Sequence, residues 1–150
     1  MKNTIISGLL PNNSSYASTT AQEQDLWELL EVKDTTNWTK IFRYVQNTWS
    51  WTIASWNFVQ FDISEDSIWK VEQGWANNYA CGRAVCSMTT LTYAWIQVAW
   101  YISGITWASA GQNLLAAASG WYTEAATLAA NVIWTSVITS ATEAQLKGLI

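Results

Sequence analysis

The stretch AVCSMTTLTYAWIQVAWYISGITWASAGQNLLAAASGWYT, residues 84–123, contains no charged side chain, and the whole interval between Arg83 and Glu143 adds only Glu124. A solvated helix normally carries Lys and Glu along one face. A segment this long without them has to be covered by protein, by lipid or by neighbouring copies of the chain. Within it Met88, Leu91, Trp95, Val98, Ile102 and Ile105 alternate spacings of three and four, the pattern of a heptad seam. Tyr93, Ile96, Trp100 and Trp107 make a second seam on another face. The spacing predicts a helix that begins near Glu65, weakens between Gly74 and Gly82, and has more than one apolar side.

The flanking sequence reads the same way. Thr20-Ala21-Gln22-Glu23 has the form of a capping box, and a short helix is expected from Ala21 to Val32 with Leu26, Leu29 and Leu30 inward. Its acids, Glu23, Asp25, Glu28 and Glu31, read as a wet face with favourable charge near a helix N-terminus. After the cap Asp34-Thr35-Thr36 a second helix is expected to run to Val59. It carries one stripe (Trp38, Ile41, Val45, Trp49, Thr52, Trp56) and a second ridge (Tyr44, Trp51, Phe58) repeating every seven residues. Two ridges imply two neighbours. A last helix follows the Gly104 to Gly111 segment, with Leu114, Ala118, Trp121, Ala125, Leu128, Val132 and Thr135 in register and a smooth, alanine-rich surface. Residues 1–19, with Pro11 and an Asn/Ser/Thr-rich end, read as an extended arm that spans to a neighbouring subunit or stays flexible.

Composition agrees with a surface made for contact. The chain has 150 residues, 12 tryptophans, 12% charged residues and no histidine; soluble domains average about 25% charged. Such a surface is mostly interface. A net charge of −4 with scattered basic residues weighs against phosphate-backbone binding. Lys33, Lys40 and Arg43 are the nearest thing to a basic cluster, Lys40 and Arg43 sharing a helix face. Two cysteines, Cys81 and Cys86, make no disulfide framework. In an unbroken helix they point apart, so a bond between them needs a break that Gly82 and Asn77-Asn78 would supply; otherwise they are small buried thiols.

No chemistry-bearing motif emerges. Zinc and triad chemistry lack histidine, no glycine-rich phosphate loop precedes a lysine, and Glu124 is the one carboxylate in the apolar half. No catalytic, cofactor-binding or metal-binding residues are assigned. Asn12, Asn13 and Asn37 each open an Asn-x-Ser/Thr tripeptide, which matters only for an exported chain. Residues 84–105 are long enough to cross a bilayer, but Gln97, the many hydroxyl residues and the absence of flanking Lys/Arg clusters speak against a span.

An arm, a short acidic helix and three longer helices, with few charges and seams on several faces, resemble the all-α coat proteins of archaeal filamentous, rod-shaped and spindle-shaped viruses. That resemblance implies a shell-building subunit located in a virion or an extracellular filament. Coats that wrap DNA carry more basic residues, so any enclosed nucleic acid would be touched only weakly. The expectation is therefore all-α: an antiparallel helical hairpin or four-helix bundle over residues 20–150 behind an arm of residues 1–19. Its partners are copies of itself, and its assembly interface is Tyr44, Trp51, Phe58, Tyr93, Trp100 and Trp107. The alternative is a small helical protein that enters or permeabilises membranes.

Overall fold

The computed structural model describes residues 4–7, 17–33, 39–62, 64, 69–74, 80–103, 113–116, 122–125, 135–140 and 143–147. Among these residues there is no helix, and every regular element is a strand. The all-α expectation, bundle or hairpin, is overturned. The elements are β1 (Thr4–Ser7), β2 (Leu29–Lys33), β3 (Thr39–Asn47), β4 (Phe58–Phe61), β5 (Lys70–Gln73), β6 (Ala80–Ala84), β7 (Tyr93–Ser103), β8 (Asn113–Ala116), β9 (Tyr122–Ala125), β10 (Thr135–Ser140) and β11 (Glu143–Lys147).

Their order in the sheet is β1-β2-β3-β5-β4-β6-β7-β11-β10-β8-β9, and β3 also pairs with β7. That extra pairing closes β3, β5, β4, β6 and β7 into a ring. The ring closes because its two longest strands share their edges. β3 gives one edge to β7 from Lys40 to Gln46 and divides the other between β2, at Thr39 to Arg43, and β5, at Gln46 and Asn47. β7 likewise divides its second edge between β6, at Ile96 and Gln97, and β11, at Trp100 to Ser103. Most pairings are antiparallel; β1 with β2 and β3 with β5 are parallel. Closing a sheet on itself removes the exposed edges that invite misassembly.

Every strand of the ring sends a side chain to one interior cluster: Val45 from β3, Val59 from β4, Val71 from β5, Cys81 and Ala84 from β6, and Ala94, Ile96 and Val98 from β7. Ile53 and Met88, from the loops, add to it, and both are fully buried. A second cluster lies on the opposite face of β2, β3 and β7 and contains Leu30, Val32, Phe42, Tyr44 and Trp95. Phe42 and Trp95 are thus buried on one face of their strands while Val45 and Ile96 are buried on the other. Strands buried on both faces show no alternation of apolar and polar residues, so the charge-free run of β7 reads as continuous apolar sequence.

The helical seams dissolve in this geometry. Trp95 and Val98 fall in different clusters, and Leu91 is 60% exposed. Leu29 and Leu30, placed on one helix face, pack against opposite clusters as successive strand residues must. Lys40 and Arg43, three apart on a strand, project to opposite faces, so the basic face expected of them does not form. Thr4–Ser7, within the expected arm, pairs with Leu30 to Lys33, and Thr19 bridges to Tyr93 through a reciprocal pair of backbone hydrogen bonds.

Gly82 sits at a close approach between β6 and β7. A Cβ there would stand 2.8 Å from Ile96 Cδ1 and 2.9 Å from the Gln97 carbonyl oxygen. Only hydrogen fits between β6 and β7 at this point.

Candidate functional site

Two uncharged segments, residues 47–57 and 84–92, run beside each other at one side of the ring. Ile53 and Met88 exchange backbone hydrogen bonds of 2.9 Å, the Ala84 carbonyl accepts from the Trp56 amide, and the Ala84 amide donates to the Asn57 carbonyl. The Ser55 hydroxyl donates to the Val85 carbonyl. The two loops therefore form an irregular ribbon continuous with β3, β4, β6 and β7.

Asn47, the last residue of β3, is fully buried and ties the ribbon to the ring. Its amide nitrogen donates toward the carbonyls of Met88 (2.9 Å), Trp51 (3.1 Å) and Thr89 (3.2 Å), and its side-chain oxygen accepts from the Trp49 amide at 2.9 Å. Its backbone carbonyl accepts from Leu91 N–H at 2.8 Å. One polar side chain thus fixes the backbone of Trp51 and the turn that carries Leu91 at the same end of the ribbon.

The ribbon's outer surface carries Trp51 (68% exposed), Leu91 (60%) and Trp56 (47%). Its other exposed members, among them Ser50, Thr52, Thr89 and Thr90, bear no charge. Together the three large side chains expose on the order of 400 Å² of apolar surface. Arg83 lies against Trp56. It is 5% exposed, lays its guanidinium 5.1 Å from the Trp56 ring centroid, and donates from Nε to the Trp56 carbonyl at 2.9 Å, fixing that ring.

Two of these side chains sit on unusual backbone. Trp56 (φ 73°) and Leu91 (φ 62°) are left-handed, as is Trp27 (φ 65°). Each is the third residue of a tight turn, closed by Asn57 N–H to Ala54 C=O (3.2 Å), Thr92 N–H to Thr89 C=O (3.1 Å) and Glu28 N–H to Asp25 C=O (3.0 Å) respectively. Turns with φ above zero at this position ordinarily use Gly or Asn, because a Cβ there costs about 1–2 kcal/mol. Trp27 has an internal reason for its place: its ring packs 5.4 Å from Phe61 and 5.6 Å from Trp69, with the Arg43 guanidinium 5.2 Å away. Leu91 has no comparable burial.

The expected interface residues are scattered by the fold. Trp51 is the one on the exposed ridge. Tyr44 (3% exposed) and Phe58 (2%) are inside the chain's own packing, and Tyr93 is half-buried. Tyr44 sits 5.2 Å from Trp95, edge to face, and 6.2 Å from Tyr93, stacked. Trp107 and the side chain of Trp100 lie outside the described residues, as do Asn12, Asn13 and Asn37. Trp56 and Leu91 were missed as surface residues because a helical stripe and seam absorbed them; Ala54-Ser55 and Thr89-Thr90, before each, were the available hint of turns.

The remaining chemistry is structural in character. Of the two readings left open for the cysteines, the structure has the unbonded one: Cys81 is a buried free thiol and Cys86 a half-buried one. Burial raises both thiols, that of fully buried Cys81 far more than that of Cys86, which makes them poor nucleophiles. Burial pushes the Asp62 carboxyl up. Donation from the Ser64 hydroxyl and amide and from the Thr48 hydroxyl, helped by the charge of Lys70, outweighs burial and holds Asp62 below its usual value. Arg43 donates to the Trp27 carbonyl at 2.9 Å, so this member of the basic trio is engaged within the fold. Among the described residues no group of three His, Cys, Asp or Glu side chains could hold a metal. No helix among them is long and apolar enough to cross a membrane, so the helical membrane alternative loses its element. No family model, curated protein or solved structure matches the chain.

Proposed function

We propose that this chain is a structural, non-catalytic subunit that assembles with copies of itself into a shell, tail or filament, with the uncharged ribbon as one of its contact surfaces. The observation that supports this most is the exposure of Trp51, Leu91 and Trp56 on segments 47–57 and 84–92, which carry no charged residue. Covering all three side chains, about 400 Å² on each of two copies, gives at most roughly 20 kcal/mol before costs, at about 25 cal/mol per Å². Association costs about 4–15 kcal/mol, and ordering of side chains adds to that. At about 800 Å² in total such a contact is smaller than a standard interface, so a lasting assembly needs several per subunit. A location in a virion or an extracellular filament belongs to this proposal. Direct contact with an enclosed nucleic acid is at most slight, given the net charge of −4.

Electron microscopy of the purified protein without detergent tests the role. Filaments, tubes or rings are expected; particles of monomer size at every concentration would sink it. Trp95→Ser should destroy the fold, whereas Trp51→Ser should spare the fold and weaken assembly. Equal loss of fold in both would remove the ribbon from the interface.

A further inference from the structure

We infer that Arg43, with the rings of Trp27, Phe61 and Trp69, forms a binding site for a carboxylate carried on a flat apolar body. This does not rest on the assembly role proposed above. Phe42 and Tyr44 belong to the second cluster, so Arg43, between them, projects with Ile41 and Val45 to the side of the interior cluster. Trp27 and Phe61 pack against that same cluster. The Trp27 ring lies 5.4 Å from Phe61, 5.6 Å from Trp69 and 5.2 Å from the Arg43 guanidinium carbon, so the four side chains form one group. Each of the four is half-buried and keeps part of its surface open to solvent.

The guanidinium is held in place but not neutralised. Its Nη1 donates to the Trp27 carbonyl at 2.9 Å, and its carbon lies over the Trp27 ring. Among the described residues no carboxylate pairs with it, and its Nε is covered without an acceptor. Burial pulls Arg43 below its ordinary pKa, the direction expected of a cation that has lost water without gaining an anion. With Nη1 engaged, the remaining edge is Nε with Nη2, the fork that grips a carboxylate through two parallel N–H···O bonds. An aliphatic side chain could cover the rings without leaving a buried donor unmet. Trp27, Phe61 and Trp69 beside the fork supply stacking surface for a planar apolar body. A chain of net charge −4 repels anions in general, so a carboxylate that binds is recognised by this local fork.

Benzoate is the probe, with acetate, benzyl alcohol and inorganic phosphate beside it. In nitrogen–proton correlation spectra of the full chain, the Arg43 Nε–H signal, assigned by its loss in Arg43→Lys, should shift saturably with benzoate at a Kd on the order of 1 mM. Acetate should bind about tenfold more weakly, because it lacks the stacking body. Benzyl alcohol should leave the signal where it is. Benzoate should also raise the thermal midpoint of the wild type and not that of Arg43→Lys, which keeps the charge and loses the fork. No saturable shift at Arg43 overturns the inference. So does a shift that phosphate produces as tightly, which means an adventitious ion only, or one that benzyl alcohol produces, which means apolar contact alone. Acetate binding as tightly as benzoate removes the rings from the site, and an undiminished midpoint rise in Arg43→Lys removes the fork; either overturns the inference. Should Arg43→Lys fail to fold, the wild-type ranking of the four probes still decides.

Discussion

Asn47→Ala should detach the ribbon from the ring without touching either apolar cluster. Asn47 is fully buried, and its side chain serves the carbonyls of Met88, Trp51 and Thr89 and the amide of Trp49 at 2.9–3.2 Å. One NH₂ group has two protons for three acceptors, so these contacts amount to about three full hydrogen bonds. At about 1 kcal/mol net each the loss is about 3 kcal/mol, and more if the Met88 carbonyl or Trp49 amide stays dry and unpaired. Against a typical stability of about 5–15 kcal/mol that is a large fraction. With a urea slope of about 1–3 kcal/mol per M, the midpoint should fall by roughly 1–3 M. Asn47→Asp is the sharper companion: it keeps the acceptor for Trp49 but turns an acceptor toward three carbonyls, and should be at least as damaging as alanine. A midpoint within a few tenths of wild type for Asn47→Ala, or an Asp variant milder than the Ala variant, would refute the role given to this side chain.

Three further outcomes follow from the packing. Gly82→Ala should cost about 1–3 kcal/mol in chemical denaturation, because the added methyl meets Ile96 Cδ1 at 2.8 Å and the Gln97 carbonyl at 2.9 Å, and the latter is backbone. Asp62 has a folded pKa below its ordinary 3.8, so the stability it contributes is full above that value and is lost as pH falls through the lower folded value. Asp62→Asn should therefore lower the urea midpoint at neutral pH and flatten the wild type's acid limb below about pH 4; a parallel acid limb in the variant would contradict the assignment. In native protein a thiol-reactive probe should label half-buried Cys86 slowly and fully buried Cys81 only on unfolding, read by mass spectrometry; equal rates would show that β6 opens readily.

How much of this was legible in the sequence depends on the segment. Within the charge-free run from Ala84 to Thr123, Ala94 to Ala99 of β7 are buried, whereas Ser87, Thr89, Thr90 and Leu91 in the preceding turn are exposed. What failed was the period. In β7 every residue from Ala94 to Ala99 is buried, so any template finds matches, and spacings of three and four were picked from a continuous apolar run. Composition argued the other way: 12 tryptophans, 6 tyrosines and the Val, Ile and Thr of Thr39–Asn47 and Tyr93–Ser103 are strand formers. Asn47, Gly82 and the left-handed turns could not be read from the chain, because Asn47 serves the Met88 carbonyl 41 residues away, Gly82 meets Ile96 and Gln97 of the next strand, and the turns need a φ that Trp and Leu rarely adopt. Of the surface, Trp51 was named as an interface residue and is exposed, whereas Tyr44 and Phe58 were named with it and are buried.

The account stands most directly on whether the ribbon joins copies of this chain. Sedimentation velocity of wild type and Trp51→Ser, from micromolar to near-millimolar protein without detergent and with matched circular dichroism, measures it. The account predicts species larger than 16.8 kDa growing with wild-type concentration, and a shift toward monomer in Trp51→Ser with an unchanged β-type spectrum. A wild type that sediments as monomer throughout, or a Trp51→Ser protein that assembles as well as wild type, would contradict it.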